Sequence, residues 1–148
     1  MDTYLLIRIA HGVPAVLLIA GMLAHIIMLW RASSKAEVNE SLLLRKIVRS
    51  ARISIPAFML LSLSLPISGW WMAHIAHWPL DLKWLALGIY LLPLVFILAA
   101  LLGRQLLVWS KQPKPSLASK QKRWCLVWAL LILLVLIAIS AIMGAKPL

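Results

Sequence analysis

Acidic side chains are scarce in this chain of 148 residues, which contains only Asp2, Glu37, Glu40 and Asp81. All four lie outside the long apolar runs of the sequence. A relay of carboxylates inside a membrane, or a pair of catalytic acids buried there, is therefore excluded. Phosphate-binding glycine loops, Cys-x-x-Cys pairs, His-Glu-x-x-His and Gly-x-Ser-x-Gly motifs are missing as well. No catalytic residue is predicted, and a non-enzymatic role is favoured.

Cysteine occurs once, at Cys125, so the chain cannot form an internal disulfide. Only 13% of the residues are charged, whereas 64% are hydrophobic. A soluble domain of this size has no core large enough for so much apolar surface, but a lipid bilayer accommodates it. The net charge of +11 does not indicate nucleic-acid binding, because the basic residues lie between apolar runs. The predicted environment is therefore the lipid bilayer.

Four apolar segments are long enough to cross a bilayer as helices. They cover approximately residues 5–29, 53–75, 82–102 and 124–143. The predicted fold class is all-α: a multi-pass membrane protein with four transmembrane helices in an antiparallel bundle. Residues 1–148 are predicted to form this single domain.

The basic residues predict the orientation of the bundle. Twelve of the fifteen Lys and Arg residues lie in the loops 31–52 and 103–123. Because cytoplasmic loops carry an excess of Lys and Arg, both loops are predicted to be cytoplasmic and both termini periplasmic. All eight tryptophans lie near a predicted membrane boundary, as amphipathic indoles prefer. Residues 44–52 are either a short amphipathic helix on the membrane surface or simply a basic segment beside it.

Polar and small residues line one face of each of the first two spans. Helical spacing aligns five residues in the first span: His11, Pro14, Leu18, Gly21 and His25. Ionisable side chains inside a membrane normally face the bundle interior, so this stripe is predicted to be the inner face of the first helix. In the second span, Ser62, Pro66 and Gly69 share a face that is predicted to pack against the first helix.

The histidines are the candidate ligands, because neutral imidazole binds haem iron and copper well. The main hypothesis is a haem b between helices, with His11 and His74 as axial ligands and with His77 and His25 as weaker candidates. A copper site formed by His11, His74, His77 and Met72 is the alternative. Purely structural roles also stay open: a hydrogen bond across helices for His11, and a place at the headgroup boundary for His74 and His77.

Three stretches of the sequence resemble one family. They are RIAHGVPAVLLIAG at Arg8–Gly21, the pattern IPAF…PISGWW within Ile55–Trp71, and IMGAKP at Ile142–Pro147. Together with the four spans, they resemble the bacterial predicted integral membrane proteins of the domain of unknown function 2269. The resemblance covers essentially the whole chain. It implies a location in the bacterial inner membrane and does not specify a reaction.

A more distant resemblance concerns the first span. His11 followed by Gly21 is similar to the HemJ-type protoporphyrinogen oxidases and to the CopD-type copper-resistance proteins. In the HemJ-type family a lysine at the start of the third span partners the histidine at haem. Lys83 stands at that place in this sequence. The resemblance therefore implies Lys83 as the alternative second ligand.

Three roles follow from these observations. The first is haem binding in a redox or haem-handling role. The second is that of an accessory or scaffold subunit, in which the stripe on the first helix packs against another membrane protein or a second copy of the chain. The third is copper handling on the periplasmic side. The three roles predict different contents of the purified protein. The first predicts bound haem, the second neither haem nor metal, and the third bound metal without haem.

Overall fold

Four α-helices make up nearly all of the described part of the chain, which comprises residues 3–34, 40–79, 81–111 and 120–145 of a computed structural model. They are α1 (Thr3–Ser34), α2 (Glu40–Ile75), α3 (Lys83–Ser110) and α4 (Lys120–Ala145). Each contains an apolar window long enough to cross a membrane. The predictions of an all-helical fold and of four apolar spans are therefore confirmed.

The helices extend beyond the spans predicted from the sequence. The second helix begins at Glu40, although its predicted span begins at residue 53. The third continues to Ser110, although its predicted span ends at residue 102. Apolar runs mark only the part of a helix that fits into hydrocarbon, whereas Leu, Arg and Lys favour helix beyond it as well. Much of the predicted loops 31–52 and 103–123 is consequently helical.

The amphipathic segment before the second span is the beginning of α2 and not a separate surface helix. Ile47 and Ala51 are buried in the core of the bundle. Arg45 and Arg49 are exposed on the opposite side. The apolar face of this segment therefore packs against the other helices. This contradicts the separate surface helix, which is one of the two alternatives left open from the sequence.

The helices form a ring in which each packs against two neighbours. In the described ranges, α1 and α3 each contact α2 and α4 and do not contact each other. The core fills the space enclosed by the ring. Its buried members are Leu18, Met22 and Leu29 of α1, Ile47, Ala51 and Leu65 of α2, Val95, Leu98, Ala99, Leu102, Leu106 and Trp109 of α3, and Cys125, Ala129, Ile132, Val135 and Leu136 of α4.

Large apolar side chains cover the outside of the ring. Ile53, Leu60 and Tyr90, for example, are 73%, 70% and 78% exposed. Such a surface is unfavourable in water and favourable in hydrocarbon. The exposed apolar faces are therefore suited to contact with lipid.

The inner face of α1 largely follows the predicted stripe. Leu18 and His25 are buried and His11 is half-buried. Gly21 is exposed, and Met22 takes its place on the buried face. The spacing of the buried residues alternates between three and four, as a helix of 3.6 residues per turn requires.

Trp109 departs from the predicted placement of tryptophans at the membrane boundary. Its side chain is fully buried, with 0% exposure, and belongs to the core. Its Nε1 has no hydrogen-bond partner among the described residues. Trp30, by contrast, is 64% exposed. The large ring of Trp109 therefore contributes to the packing of the bundle and does not serve as a surface anchor.

We expect Trp109→Ala to lower the free energy of unfolding by about 3–5 kcal/mol, because it leaves a cavity in the core. Trp30→Ala is the matched control and should change that energy by less than about 1 kcal/mol, since the ring is exposed. Unfolding in detergent, followed by circular dichroism, measures both variants. Equal losses in the two variants would contradict a core role for Trp109.

Candidate functional site

His11 connects α1 to α2 through a hydrogen bond. Its Nδ1 lies 2.9 Å from the hydroxyl oxygen of Ser68, and its side chain is half-buried. The same hydroxyl lies 2.7 Å from the backbone carbonyl oxygen of Ser64 and 3.3 Å from that of Leu65. A short chain of polar groups thus crosses an otherwise apolar interface.

These contacts indicate which nitrogen of His11 carries the proton. A serine hydroxyl has one proton, and the 2.7 Å contact directs it to the Ser64 carbonyl. The hydroxyl oxygen of Ser68 then accepts a hydrogen bond from Nδ1–H of His11. In a neutral imidazole the other nitrogen, Nε2, keeps an unshared electron pair. Histidines that bind metals have this arrangement, because they donate their second N–H to a neighbouring group.

Gly69 allows the His11 ring to lie close to α2. A β-carbon at position 69 would lie 3.2 Å from Cε1 and 3.6 Å from Nδ1 of His11. The shorter distance is tighter than ordinary van der Waals contact, so a larger residue would press on the imidazole. The predicted packing of Gly69 against the first helix is confirmed. Ser62, on the same predicted face, is 1% exposed and therefore buried.

His25 lies 14 residues further along α1, which corresponds to about 21 Å of helix rise. Its side chain is 7% exposed, and its Nε2 has no hydrogen-bond partner in the part of the chain that the structure describes. It lines a cleft of about 260 Å³ between α1, α2 and α3. The two histidines of α1 therefore differ: His11 bonds to α2, whereas Nε2 of His25 is buried and unpaired within the described ranges.

His74 and Lys83, the two predicted second ligands, lie at the ends of their helices. His74 is exposed and stacks on Trp70, with ring centroids 5.7 Å apart and an interplanar angle of 14°. The neighbouring Ala73 is 1% exposed, so the buried side of α2 passes through Ala73 and not through His74. Lys83 is exposed at the first residue of α3. The role of either residue as a ligand stays a prediction.

The three histidines expected to gather for copper do not form such a group. Among the described residues, no set of three or more His, Cys, Asp or Glu side chains is placed to hold a metal ion. His11 bonds to α2, whereas His74 and His77 are exposed and Met72 is half-buried. The end of α2 turns its two histidines outward, and the copper site stays a prediction.

His77 has a structural role at the end of α2. Its φ of 53° lies in the left-handed region. The N–H of Trp78 donates to the carbonyl of Ala73 at 2.9 Å, and the N–H of His77 donates to that of His74 at 3.3 Å. These two bonds and the left-handed residue form a Schellman motif, which terminates a helix. Trp78 then packs edge-on against Trp84 of α3, with ring centroids 5.5 Å apart.

Sequence reasoning identifies His11 and Gly69 but misses Ser64 and Ser68. The signal is the stretch LSLSLPISG, in which two serines four residues apart share a helix face. A buried imidazole needs a hydrogen-bond partner, so a search of the second span for hydroxyl groups would include Ser68. The pairing also depends on the offset between α1 and α2, which follows from packing and not from the sequence pattern.

The fold and its polar contacts define a class of protein, an integral membrane protein with four candidate spans. Its outer surface is apolar, and a hydrogen bond between polar side chains joins two of its helices. A comparison with family models then gives the family. Residues 5–147 match the predicted integral membrane proteins of DUF2269, and the chain belongs to this family. The resemblance stated from the sequence is thereby confirmed. Comparisons with curated proteins and with solved structures give no match.

We expect His77→Gly to raise the free energy of unfolding by about 1 kcal/mol, because glycine adopts a positive φ without steric cost. His74→Gly is the matched control. It places glycine in the last turn of α2 and should lower the same energy by about 0.5–1 kcal/mol. Denaturant unfolding in mild detergent measures both changes. Destabilisation by His77→Gly would argue against its role in ending the helix.

Proposed function

We propose that the four helices cross the bacterial inner membrane as an antiparallel bundle with both termini on the periplasmic side. The distribution of Lys and Arg supports this orientation, since twelve of fifteen lie toward the proposed cytoplasmic side. The described members of this set include several exposed side chains: Arg31, Arg45, Arg49, Lys111, Lys120 and Arg123. Such positive charges bind the anionic headgroups of the cytoplasmic leaflet.

Labelling of single cysteines tests this orientation. Cys125 is first replaced by serine, and Asp81→Cys or Lys111→Cys is then introduced at an exposed position on either side of α3. In spheroplasts, a maleimide that cannot cross membranes should label Asp81→Cys. It should label Lys111→Cys only after the membrane is opened. The opposite pattern would invert the orientation, and labelling of both from outside would contradict a membrane crossing by α3.

For the activity, we propose that His11 is an axial ligand of haem b, in a redox or haem-handling role. The observation that carries this proposal is the hydrogen bond between Nδ1 of His11 and Ser68. It orients the imidazole and leaves Nε2 with the electron pair that iron requires. When bound, haem would supply one-electron chemistry, with a potential set by its ligands and by the dryness of the site.

The neighbouring residues would act by positioning His11. The hydroxyl oxygen of Ser68 accepts a hydrogen bond from Nδ1–H and so fixes the rotation of the ring. Gly69 leaves room for the ring against α2. The second ligand is proposed to be His74 or Lys83, both of which have exposed side chains. His74 would have to leave its stacking contact with Trp70 to bind iron.

A spectrum of the reduced minus the oxidised protein, purified after expression with added haem, tests the assignment of His11. The native protein should show a b-type band that His11→Ala abolishes. Ser68→Ala keeps the ligand but removes its orienting partner, so haem affinity should fall about tenfold to hundredfold. Trp30→Ala, an exposed position on the same helix as His11, is the control and should bind haem normally. A colourless native protein, or an unchanged band in His11→Ala, would refute the assignment.

A second candidate is an accessory or scaffold subunit without catalytic activity, and the same hydrogen bond supports it. In this role the His11–Ser68 pair holds α1 against α2. Hydrogen bonds between membrane helices contribute about 0.6 kcal/mol on average and up to about 2 kcal/mol. The scaffold role therefore predicts a colourless protein that His11→Ala destabilises by such an amount and that purifies with a partner. Metal analysis of the same preparation tests the copper alternative.

A further inference from the structure

The cleft at His25 opens toward the lipid-facing surface of the bundle. Its inner wall includes the buried residues Leu18, Ala99 and Leu102. Its outer edge includes Gly21 of α1 and Ala57 of α2, both of which are exposed. An opening between α1 and α2 in an apolar outer surface leads into the bilayer and not into water.

His25 is the buried polar group of this cleft. Only 7% of its surface is exposed, and its Nε2 has no partner among the described residues. A polar group buried without a hydrogen bond costs about 1–3 kcal/mol. The rest of the lining is apolar except for Ser54, which lies exposed at the edge. Nε2 also has almost no accessible surface, so an occupant of the cleft reaches it only when the imidazole turns toward the cleft. The hydrogen bond formed in that position removes an unfavourable term from the structure.

The lining limits which molecules fit. An ordered water needs two to four polar partners, and an apolar wall does not provide them. A lipid acyl chain would fill the space but leave Nε2 of His25 unpaired. A ring with one hydrogen-bonding oxygen meets both requirements. Since an apolar cavity of about 150 Å³ holds benzene, about 260 Å³ is sufficient for one substituted ring.

We propose that this cleft binds the headgroup of a membrane-dissolved quinone, and that the imidazole of His25 turns toward the cleft so that Nε2–H donates a hydrogen bond to a ring carbonyl. The apolar tail of the quinone leaves between α1 and α2 into the bilayer. Gly21 and Ala57 keep this exit open because their side chains are small, and a β-carbon at Gly21 would meet no atom within 4 Å. The site is distinct from His11 and independent of the role proposed there.

Calorimetric titration of the purified protein with a short-chain ubiquinone tests the site. Gly21→Leu extends into the open space at the edge and should weaken binding at least about tenfold. Gly12→Leu is the matched control on the same helix, where a β-carbon also meets no atom within 4 Å, and it should bind normally. His25→Leu keeps the wall apolar but removes the hydrogen bond, so Kd should rise about threefold to tenfold.

A second readout follows His25 directly and does not depend on the folding of any variant. In the native protein with isotope-labelled histidine, the Nε2 resonance of His25 should shift when the quinone is added, whereas that of His11 should not. An unshifted His25 resonance, normal binding by Gly21→Leu, or no saturable binding would each overturn the proposal. Equal affinity for propylbenzene, which has no oxygen, would overturn the hydrogen bond to His25.

Discussion

Hydrocarbon provides no hydrogen-bond partner, and every polar group inside the four helices is subject to this constraint. The helical backbone satisfies its own amides, but polar side chains need partners on the same helix or on a neighbour. His11 and Ser68 meet the constraint together, because the imidazole donates to the hydroxyl and the hydroxyl donates to the Ser64 carbonyl. Gly69 belongs to the same arrangement, since a side chain there would press on the ring.

The part of α2 that contacts His11 is also the part that a proline weakens. Pro66 has no amide proton, so the carbonyl of Ser62 loses its usual helical partner. The serines on either side of the proline add hydrogen bonds of their own: Ser64 donates to the Leu61 carbonyl at 2.7 Å, and Ser68 donates to that of Ser64. Ser68 also forms the hydrogen bond with the imidazole of His11 on α1.

The sequence predicts those features that depend on one helix at a time. Apolar length predicts the four spans, and helical spacing predicts that Leu18 and His25 lie on the inner face of α1. The pairing of His11 with Ser68 depends on how far α1 is shifted along α2, and no local pattern encodes this shift. The outward position of His74 depends on the rotation of α2 about its own axis. This rotation follows from the folded structure, in which the neighbouring Ala73 is buried.

Family membership explains the architecture but not the presence of two histidines on the inner face of α1. A contact between helices does not require imidazole, because a serine or threonine hydroxyl makes the same bond with less bulk. What imidazole adds is a second nitrogen. At His11, the hydrogen bond to Ser68 uses Nδ1 and leaves Nε2 with its electron pair. At His25, which lines a cleft, Nε2 is buried and has no hydrogen-bond partner among the residues that the structure describes. Packing therefore accounts for the position of each imidazole. It gives no role to either Nε2 nitrogen, and a bound ligand would supply that role.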